Sequence, residues 1–189
     1  TDKVLPYEKY FFAGGSNSIR AWKPRRLGVG SAPPSLNDNQ RDNGLFNYSY
    51  EKPGEILLEG SIELRQKLFG FVNGAVFVDA GNVWSLRSQQ VTLGSSNQAD
   101  WTGNTKFELN KFYKEIAVGT GFGLRFDFSF LILRFDVGIK AYDPARREGD
   151  RFVLNRLSFF RPYASVHEDG SYYNFKEPVI YNIGIGYPF

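Results

Sequence analysis

Three charged residues that lie far apart in the sequence have the types and the setting for one specific electrostatic contact: Arg20, Asp79 and Glu59. Asp79 and Glu59 occupy the polar positions of segments in which apolar and polar residues alternate. If these segments form a tight hairpin around Phe69-Gly70, the two carboxylates lie side by side and repel each other. An arginine supplied by a loop would satisfy both, because its planar guanidinium suits bidentate pairing. The residues alone leave an alternative open, in which Arg20 and Asp79 are simply solvated.

No other group of side chains predicts a reaction or a bound ion. No nucleophile and base occur at a meaningful spacing, so we expect no catalytic site and no enzymatic activity. Asp38 and Asp42 lack the spacing of a calcium loop, and a chain without cysteine has no thiolate metal site. The glycines at 119, 121 and 123 are not followed by a predicted helix, which argues against a dinucleotide site. The sequence therefore predicts no metal and no cofactor.

Composition excludes some classes of protein and permits another. The net charge of +3 is dispersed without a basic stripe, so no nucleic-acid partner is expected. Aromatic residues make up 17% of the chain, mean hydropathy is −0.36, and no apolar run has the length of a transmembrane helix. A transmembrane β-barrel is compatible with these values, because its strands are only half apolar and its loops are polar. The chain contains no methionine and no signal peptide, so we expect a mature fragment or one piece of a longer protein.

Alternation of apolar and polar residues predicts five long antiparallel strands. They lie near residues 55–69, 70–84, 114–128, 131–142 and 178–189. On the apolar face, which would contact lipid, we expect Leu58, Val76, Phe122, Phe135 and Ile183. The predicted strands are longer than those of soluble proteins, which usually have about five or six residues. Short turns near 70 and 130 and long polar connections at 84–113 and 142–178 are typical of outer-membrane barrels.

The fold class is therefore all-β, with antiparallel strands that form the C-terminal part of a transmembrane β-barrel. Five strands do not close a barrel, since about eight are the practical minimum. We assign residues 55–189 to the last five strands of the barrel. Residues 1–54, rich in glycine, proline and polar residues, are interpreted as one very long loop with a short incoming strand near 6–12.

The turn between the third and fourth strands fixes which charges face each other. If it centres on Phe130-Leu131, Arg125 lies opposite Asp136 and Asp127 lies opposite Arg134. Each such pair would contribute roughly 0.2–1 kcal/mol and would help to set the register. A register shifted by two would instead place Arg125 opposite Arg134.

The last strand carries a terminal pattern of its own. Asn182 and Gly184 fall on its inward phase, whereas Tyr187 and Phe189 fall on its outward phase at the end of the chain. This pattern resembles the C-terminal signal of bacterial outer-membrane proteins. We expect Asn182 to face a wet lumen, the aromatic residues to lie at the membrane interface, and the glycines at 184 and 186 to weaken the strand.

Two further segments carry a resemblance to a known family. Residues 11–22 contain Gly14-Gly15 followed by Arg20, Ala21 and Trp22, and residues 77–81 read Phe-Val-Asp-Ala-Gly. Together with the terminal strand they resemble the BamA/TamA superfamily of outer-membrane assembly factors, also called bacterial surface antigens. The resemblance spans residues 11–189. It implies that residues 1–54 form an extracellular loop that folds into the barrel lumen, where the tip arginine meets Asp79. The family has glycine where this chain has Ala21.

The resemblance also implies a function. It predicts a barrel in the bacterial outer membrane that assembles and inserts outer-membrane proteins. The implied partners are outer-membrane lipid, the remaining strands of the same barrel, unfolded outer-membrane clients and periplasmic or lipoprotein accessory subunits. Three alternatives stay open: a two-partner polypeptide secretion pore, a passive porin or surface adhesin, and a soluble β-domain.

Overall fold

A computed structural model describes residues 6–33, 35–36, 46–47, 50–88, 90–93, 101–159, 163–166 and 172–186. These residues form strands, turns and loops, with three single-turn 3₁₀ segments at Tyr7–Lys9, Phe112–Lys114 and Glu148–Asp150. Among them, no helix has the length and apolar character needed to cross a membrane. The prediction of an all-β fold is confirmed.

Five long strands form one antiparallel sheet in which each strand lies beside its neighbour in sequence. The order across the sheet is β5-β4-β3-β2-β1. The strands are β1 (Ile56–Phe69), β2 (Val72–Trp84), β3 (Ala117–Phe128), β4 (Leu131–Tyr142) and β5 (Ile180–Gly186). The sheet is open within the described part of the chain, with β1 and β5 at its two edges.

The connections alternate between tight turns at one end of the sheet and long segments at the other. Two-residue turns join β1 to β2 and β3 to β4, and the first residue of each turn, Gly70 or Ser129, has a positive φ. The long connections contain short strands that the sequence did not predict. These are the hairpin of Gln90–Leu93 with Trp101–Asn104, and a small sheet of Leu157–Ser158, Tyr163–Val166 and Tyr172–Pro178. In the first 54 residues, Ser35–Leu36 pairs with Phe46–Asn47.

The predicted charge pairing between β3 and β4 is wrong by two residues. The turn centres on Ser129-Phe130, so Arg125 lies opposite Arg134 and Gly123 lies opposite Asp136. Arg125 nevertheless reaches Asp136 diagonally, with 2.5 Å between Nη1 and Oδ1. The side chain of Arg125 is therefore long enough to make the predicted ion pair with Asp136, although the two residues are not directly opposite each other in the sheet.

The two faces of the sheet are reversed relative to a soluble β-sandwich. The outward face is apolar and exposed, with exposed fractions of 79% for Ile62 and 69% for Ile183. Leu58, Val76, Phe122 and Phe135 are exposed on the same face. The inward face carries Asp79, Arg125 and Asp136 in buried positions. A contiguous exposed apolar surface marks contact with lipid or protein, and an outward apolar band is the lipid-facing pattern of a barrel. The arrangement argues against the soluble β-domain.

The apolar core lies between the inward face and the loop of residues 6–33. Loop residues Ala13, Ile19, Ala21, Trp22 and Leu27 pack against Val83 of β2 and Ala117 of β3. The short strand predicted near residues 6–12 is absent. That stretch begins with the 3₁₀ turn Tyr7–Lys9, and Phe11 forms an isolated bridge with Gly54. The rest of the loop is held by side chains, by its own turns and by backbone hydrogen bonds such as that from Gly30 to Val83.

Candidate functional site: an arginine held on the inward face

The tip of the loop is a compact turn that is closed by its own backbone. The Gly15 amide donates to the Trp22 carbonyl at 2.9 Å, and the Gly14 amide donates to Oγ of Ser18 at 3.1 Å. Gly14 and Gly15 have φ values of +102° and +99°, which residues with a Cβ rarely adopt. This closure places Arg20 at the apex, pointing at the sheet.

Arg20 binds Asp79 of β2 through three hydrogen bonds. Nε donates to Oδ2 at 2.9 Å, Nη2 donates to Oδ1 at 2.7 Å, and the Arg20 backbone amide donates to Oδ2 at 3.0 Å. Arg20 is 4% exposed and Asp79 is fully buried. Charge-assisted bidentate pairs of this kind are among the stronger polar interactions in proteins. The structure thus brings together the two residues that the sequence singled out.

The second carboxylate on Arg20 is Glu63, and the prediction of Glu59 is wrong. In the β1–β2 register Ser61 lies opposite Asp79, while Glu59 lies opposite Gly81. Glu59 instead accepts a hydrogen bond from Ser18 in the loop, at 2.6 Å. The residues of β1 that face inward were predicted correctly. The two-residue turn after Phe69 and a bulge near the end of β1 change which residues of β2 lie opposite them.

Glu63 joins Arg20 to a second arginine. Nη1 of Arg20 lies 2.5 Å from Oε2 of Glu63, and Arg125 of β3 donates to the same carboxylate from Nη2 at 2.9 Å and from Nε at 3.2 Å. Arg125 continues the chain to Asp136. Arg65, on the exposed side, also donates to Glu63 at 2.7 Å. We call Arg20, Asp79, Glu63, Arg125 and Asp136 the arginine cluster.

The Arg20 guanidinium also stacks on an aromatic ring, and the carboxylates beside it affect its pKa. Its carbon lies 3.4 Å from the centroid of the Phe77 ring, which adds a cation–π contact. Burial alone would lower the pKa of Arg20, but Asp79 and Glu63 raise it above its ordinary value. The guanidinium is therefore permanently charged and is tied to fixed acceptors on β1 and β2.

The loop backbone rests directly on β3 and β4, where glycine removes the side chain. A Cβ at Gly138 would lie 2.3 Å from the Arg20 carbonyl oxygen, and one at Gly119 would lie 2.6 Å from Cβ of Ala21. The described non-glycine residues with positive φ are Arg25 and Ser129, so Ala21 at the tip adopts an ordinary backbone conformation. The departure from the family glycine at this position is tolerated.

The loop tip also contacts the last strand. Nδ2 of Asn182 donates to the Arg20 carbonyl oxygen at 2.8 Å, and Asn182 is 8% exposed. Asn182 therefore faces inward as expected, but the loop covers it, so the expectation of a wet environment is wrong. Gly184 makes room for Arg134, whose guanidinium lies about 3 Å from the position of an added Cβ. Tyr187 and Phe189 lie outside the described residues.

Trp22 covers a second group of buried charges at the far end of β4. Lys140 lies 3.0 Å from Asp143 and 2.9 Å from Glu177, and Arg146 also pairs with Glu177. Nζ of Lys140 lies 5.0 Å from the centroid of the Trp22 ring. Burial alone would raise the pKa of Asp143, but Lys140 and Arg146 hold it below its ordinary value. Sequence patterns did not predict this cluster, because Glu177 comes from a distant connection.

A third set of contacts fixes the loop beyond its tip. Nδ2 of Asn82 on β2 donates to the Gly30 carbonyl at 2.8 Å, and the Gly30 amide donates to the Val83 carbonyl at 2.8 Å. Oγ of Ser31 and Nε1 of Trp84 donate to the Glu115 carboxylate at 2.9 and 2.7 Å. The loop is thus anchored at its apex and along its returning arm.

The arrangement is suited to holding the loop against the sheet. Every charged group of the arginine cluster has an opposite partner within it. Among the described residues, no group of three histidine, cysteine or acidic side chains is placed to hold a metal ion.

Comparison with known proteins identifies a family. A family model described as the Omp85 superfamily domain matches residues 1–162. No curated protein and no solved structure matches the chain.

Proposed function

The chain belongs to the Omp85 superfamily, a family of outer-membrane proteins, and we propose that it is the C-terminal part of a barrel that inserts other outer-membrane proteins. The motifs at residues 11–22 and 77–81 led to the same superfamily, and that assignment is confirmed. Insertion is the more specific proposal. The observation that supports it is the position of the Arg20 tip, which contacts all five strands of the sheet.

The contacts of the tip would couple the loop to the edge of the sheet. Arg20 binds Glu63 on β1 and Asp79 on β2, rests on Gly138 of β4, and accepts from Asn182 on β5. Ala21 lies against β3. In a closed barrel, β5 would pair along its free edge with the first strand of the barrel. A loop that holds β5 in place would therefore influence how readily that seam opens.

The proposed mechanism is physical and uses no catalytic residue. An opened seam exposes unpaired backbone groups on β5, and an incoming client strand can pair with them by β-augmentation. Glycines at 184 and 186 lower the stability of this strand, so its pairing with the first strand is weak. The partners proposed are unfolded outer-membrane clients, membrane lipid and accessory subunits on the periplasmic side.

A polypeptide secretion pore is the second candidate, and the charged inward face favours it. With the loop displaced, the inward side chains would line a polar passage. A passive porin fits less well, because the loop of residues 6–33 lies across the inward face and is anchored there by buried contacts.

The test is reconstitution of the complete protein in lipid vesicles, with an unfolded outer-membrane client added outside. We expect the protein to accelerate membrane insertion of the client, and Arg20→Ala to reduce that rate. Arg25→Ala is the matched control, since Arg25 lies on the same loop, its side chain is 55% exposed, and it pairs with Glu51 at 3.4 Å. Client delivered to the vesicle interior would support the secretion pore instead. Steady ion conductance without any effect on the client would support a porin.

A further inference from the structure

A pocket beside the second charge cluster has basic walls. It lies between the returning arm of the loop and the end of β4, and it is partly open to solvent. Four of its lining residues are basic: Arg26, Lys52, Lys140 and Arg146. One lining residue, Asp143, is acidic.

Two of the four basic residues of the pocket are paired with carboxylates, and the other two are not paired with any described carboxylate. Lys140 and Arg146 are matched by Asp143 and Glu177, all within ion-pair distance. Arg26 and Lys52 form no ion pair with any residue that the structure describes. The pocket therefore holds about two positive charges in excess of its described acidic neighbours.

Arg26 has a buried nitrogen without a hydrogen-bond partner, and Lys52 has no carboxylate partner, within the part of the chain that the structure describes. Nη1 of Arg26 is buried and has no hydrogen-bond partner within the described part of the chain. Burial lowers the pKa of Lys52, and no neighbouring carboxylate offsets that effect. Buried polar groups in proteins are nearly always satisfied, so an exception calls for a bound water, an ion or a ligand. Both side chains are partly exposed, and a partly buried cation without a partner is destabilised, which a bound anion would relieve.

The nearby carboxylate of Glu51 is engaged elsewhere. It accepts a hydrogen bond from the Tyr7 hydroxyl and lies 3.4 Å from Nη1 of Arg25. Arg26 contributes to lowering the pKa of Glu51, so the two charges interact, but only at long range. Glu51 therefore leaves the hydrogen-bonding capacity of Arg26 unused.

We propose that this pocket binds a phosphate-type oxyanion, with Arg26 and Lys52 as its ligands and Lys140 and Arg146 as supporting charges. Arginine matches the geometry of a tetrahedral oxyanion with two parallel donors, and lysine adds a compact point charge. Trp22 forms part of the wall, so the bound anion lies next to the residue that follows Ala21 at the loop tip. The site is separate from the arginine cluster and does not depend on the insertion function.

The first experiment uses the unaltered complete protein in detergent. An amine-acetylating reagent is applied with and without inorganic phosphate, at constant ionic strength set with chloride, and acetylation is quantified by mass spectrometry. We expect phosphate to slow the acetylation of Lys52 several-fold while leaving exposed Lys23 unchanged. Equal rates at Lys52 with phosphate and with chloride would overturn the proposal, and so would equal protection of both lysines.

The second experiment measures phosphate binding by calorimetry in three variants. Arg26→Gln and Lys52→Met should each weaken binding about tenfold or more, because each removes a charge-assisted hydrogen bond. Lys23→Gln removes one positive charge from an exposed position and should bind as the unaltered protein does. If all three variants lose the same affinity, the attraction is diffuse and the assigned site is wrong.

The source of the phosphoryl group is tested with vesicles. The protein is reconstituted in vesicles with phosphatidic acid, with phosphatidylcholine, or with phosphatidylcholine plus inorganic phosphate, and acetylation of Lys52 is measured in each condition. Protection by phosphatidic acid alone identifies a lipid headgroup as ligand, whereas protection that requires inorganic phosphate identifies a free anion. Absence of protection in all three conditions excludes the oxyanion site.

Discussion

At the scale of single residues, the Arg20 guanidinium holds the tip of the loop against the sheet. It is 4% exposed and makes hydrogen bonds with Asp79, Glu63 and Ser61. A buried charge of this kind is tolerated only while its partners remain in place. The net free energy of such a cluster is modest, but the loss of one member is expensive because the remaining charges stay buried.

The first prediction is that Arg20→Ala weakens the seating of the loop while the sheet persists. Removing one partner of a buried ion pair costs about 3–5 kcal/mol, and less where water reaches the carboxylates. Asp79→Ala should cost a similar amount, and the double variant should cost much less than the sum. A double-mutant cycle on the free energy of unfolding measures the coupling directly. Strictly additive effects would show that the observed pair contributes nothing to stability.

The second prediction separates the two glutamates of β1. Glu63→Gln should destabilise the folded protein clearly more than Glu59→Gln, because Glu63 accepts from Arg20, Arg125 and Arg65. Glu59 accepts from the Ser18 hydroxyl. Each substitution preserves size and removes one negative charge, so each is the control for the other in chemical denaturation. A larger effect at Glu59 would contradict the observed register of β1 against β2.

Sequence alone identified the residues of this contact in part, and the omissions have a physical cause. Alternation assigns a residue to a face of a strand, so Asp79 and the inward phase of β1 were predictable. Alternation does not fix the position along the partner strand, which here depends on the two-residue turns after Phe69 and Phe128. Both the choice of Glu59 and the pairing of Asp127 with Arg134 failed for that reason. The role of Asn182 was missed because its partner is a loop carbonyl 162 residues away.

At the scale of elements, glycines determine how closely the loop approaches the sheet. Gly119 and Gly138 lie on adjacent strands, and the Ala21 methyl and the Arg20 carbonyl occupy the space that their side chains would need. Alternation alone places the glycines of β3 on the inward face of the strand. Which loop residue lies over which glycine follows from the tertiary fold and was not predictable.

The third prediction tests the contact between Gly119 and Ala21 by adding a methyl group at position 119 and removing one at position 21. Gly119→Ala places a Cβ 2.6 Å from that of Ala21, whereas the next nearest atom, in the Trp22 ring, lies at an ordinary 3.4 Å. Overpacking of this kind typically costs about 1–3 kcal/mol. Ala21→Gly removes the colliding methyl and should restore most of the loss in the double variant. Protease sensitivity of residues 6–33 and thermal unfolding report the two effects.

The matched control for the exchange is Gly60→Ala on β1, where an added Cβ meets nothing within 4 Å. It should leave protease sensitivity unchanged. Failure of Ala21→Gly to rescue Gly119→Ala would show that the loop does not rest on β3 as described.

At the scale of the whole molecule, one loop tip connects strands that are far apart in the sheet. β1 and β5 lie at opposite edges, yet both contact Arg20, through Glu63 and through Asn182. Such a connection gives the loop a physical means of influencing the terminal strand. The sequence predicted five antiparallel strands close to their observed positions, because the alternation of apolar and polar residues is a local pattern. The link from loop to terminal strand required the three-dimensional structure.

The last prediction is that Asn182→Ala loosens the terminal strand. It removes the donor to the buried Arg20 carbonyl, and an unsatisfied buried acceptor costs about 1–3 kcal/mol. We expect single cysteines in β5 and in the first strand of the complete barrel to crosslink more slowly in this variant, as the seam is less often paired. Arg20→Ala should have the same sign of effect. Tyr181→Phe is the control, because Tyr181 is 58% exposed on the outward face of the same strand. Unchanged crosslinking in Asn182→Ala, with the loop still seated, would separate the loop from the seam and leave the proposed coupling without support.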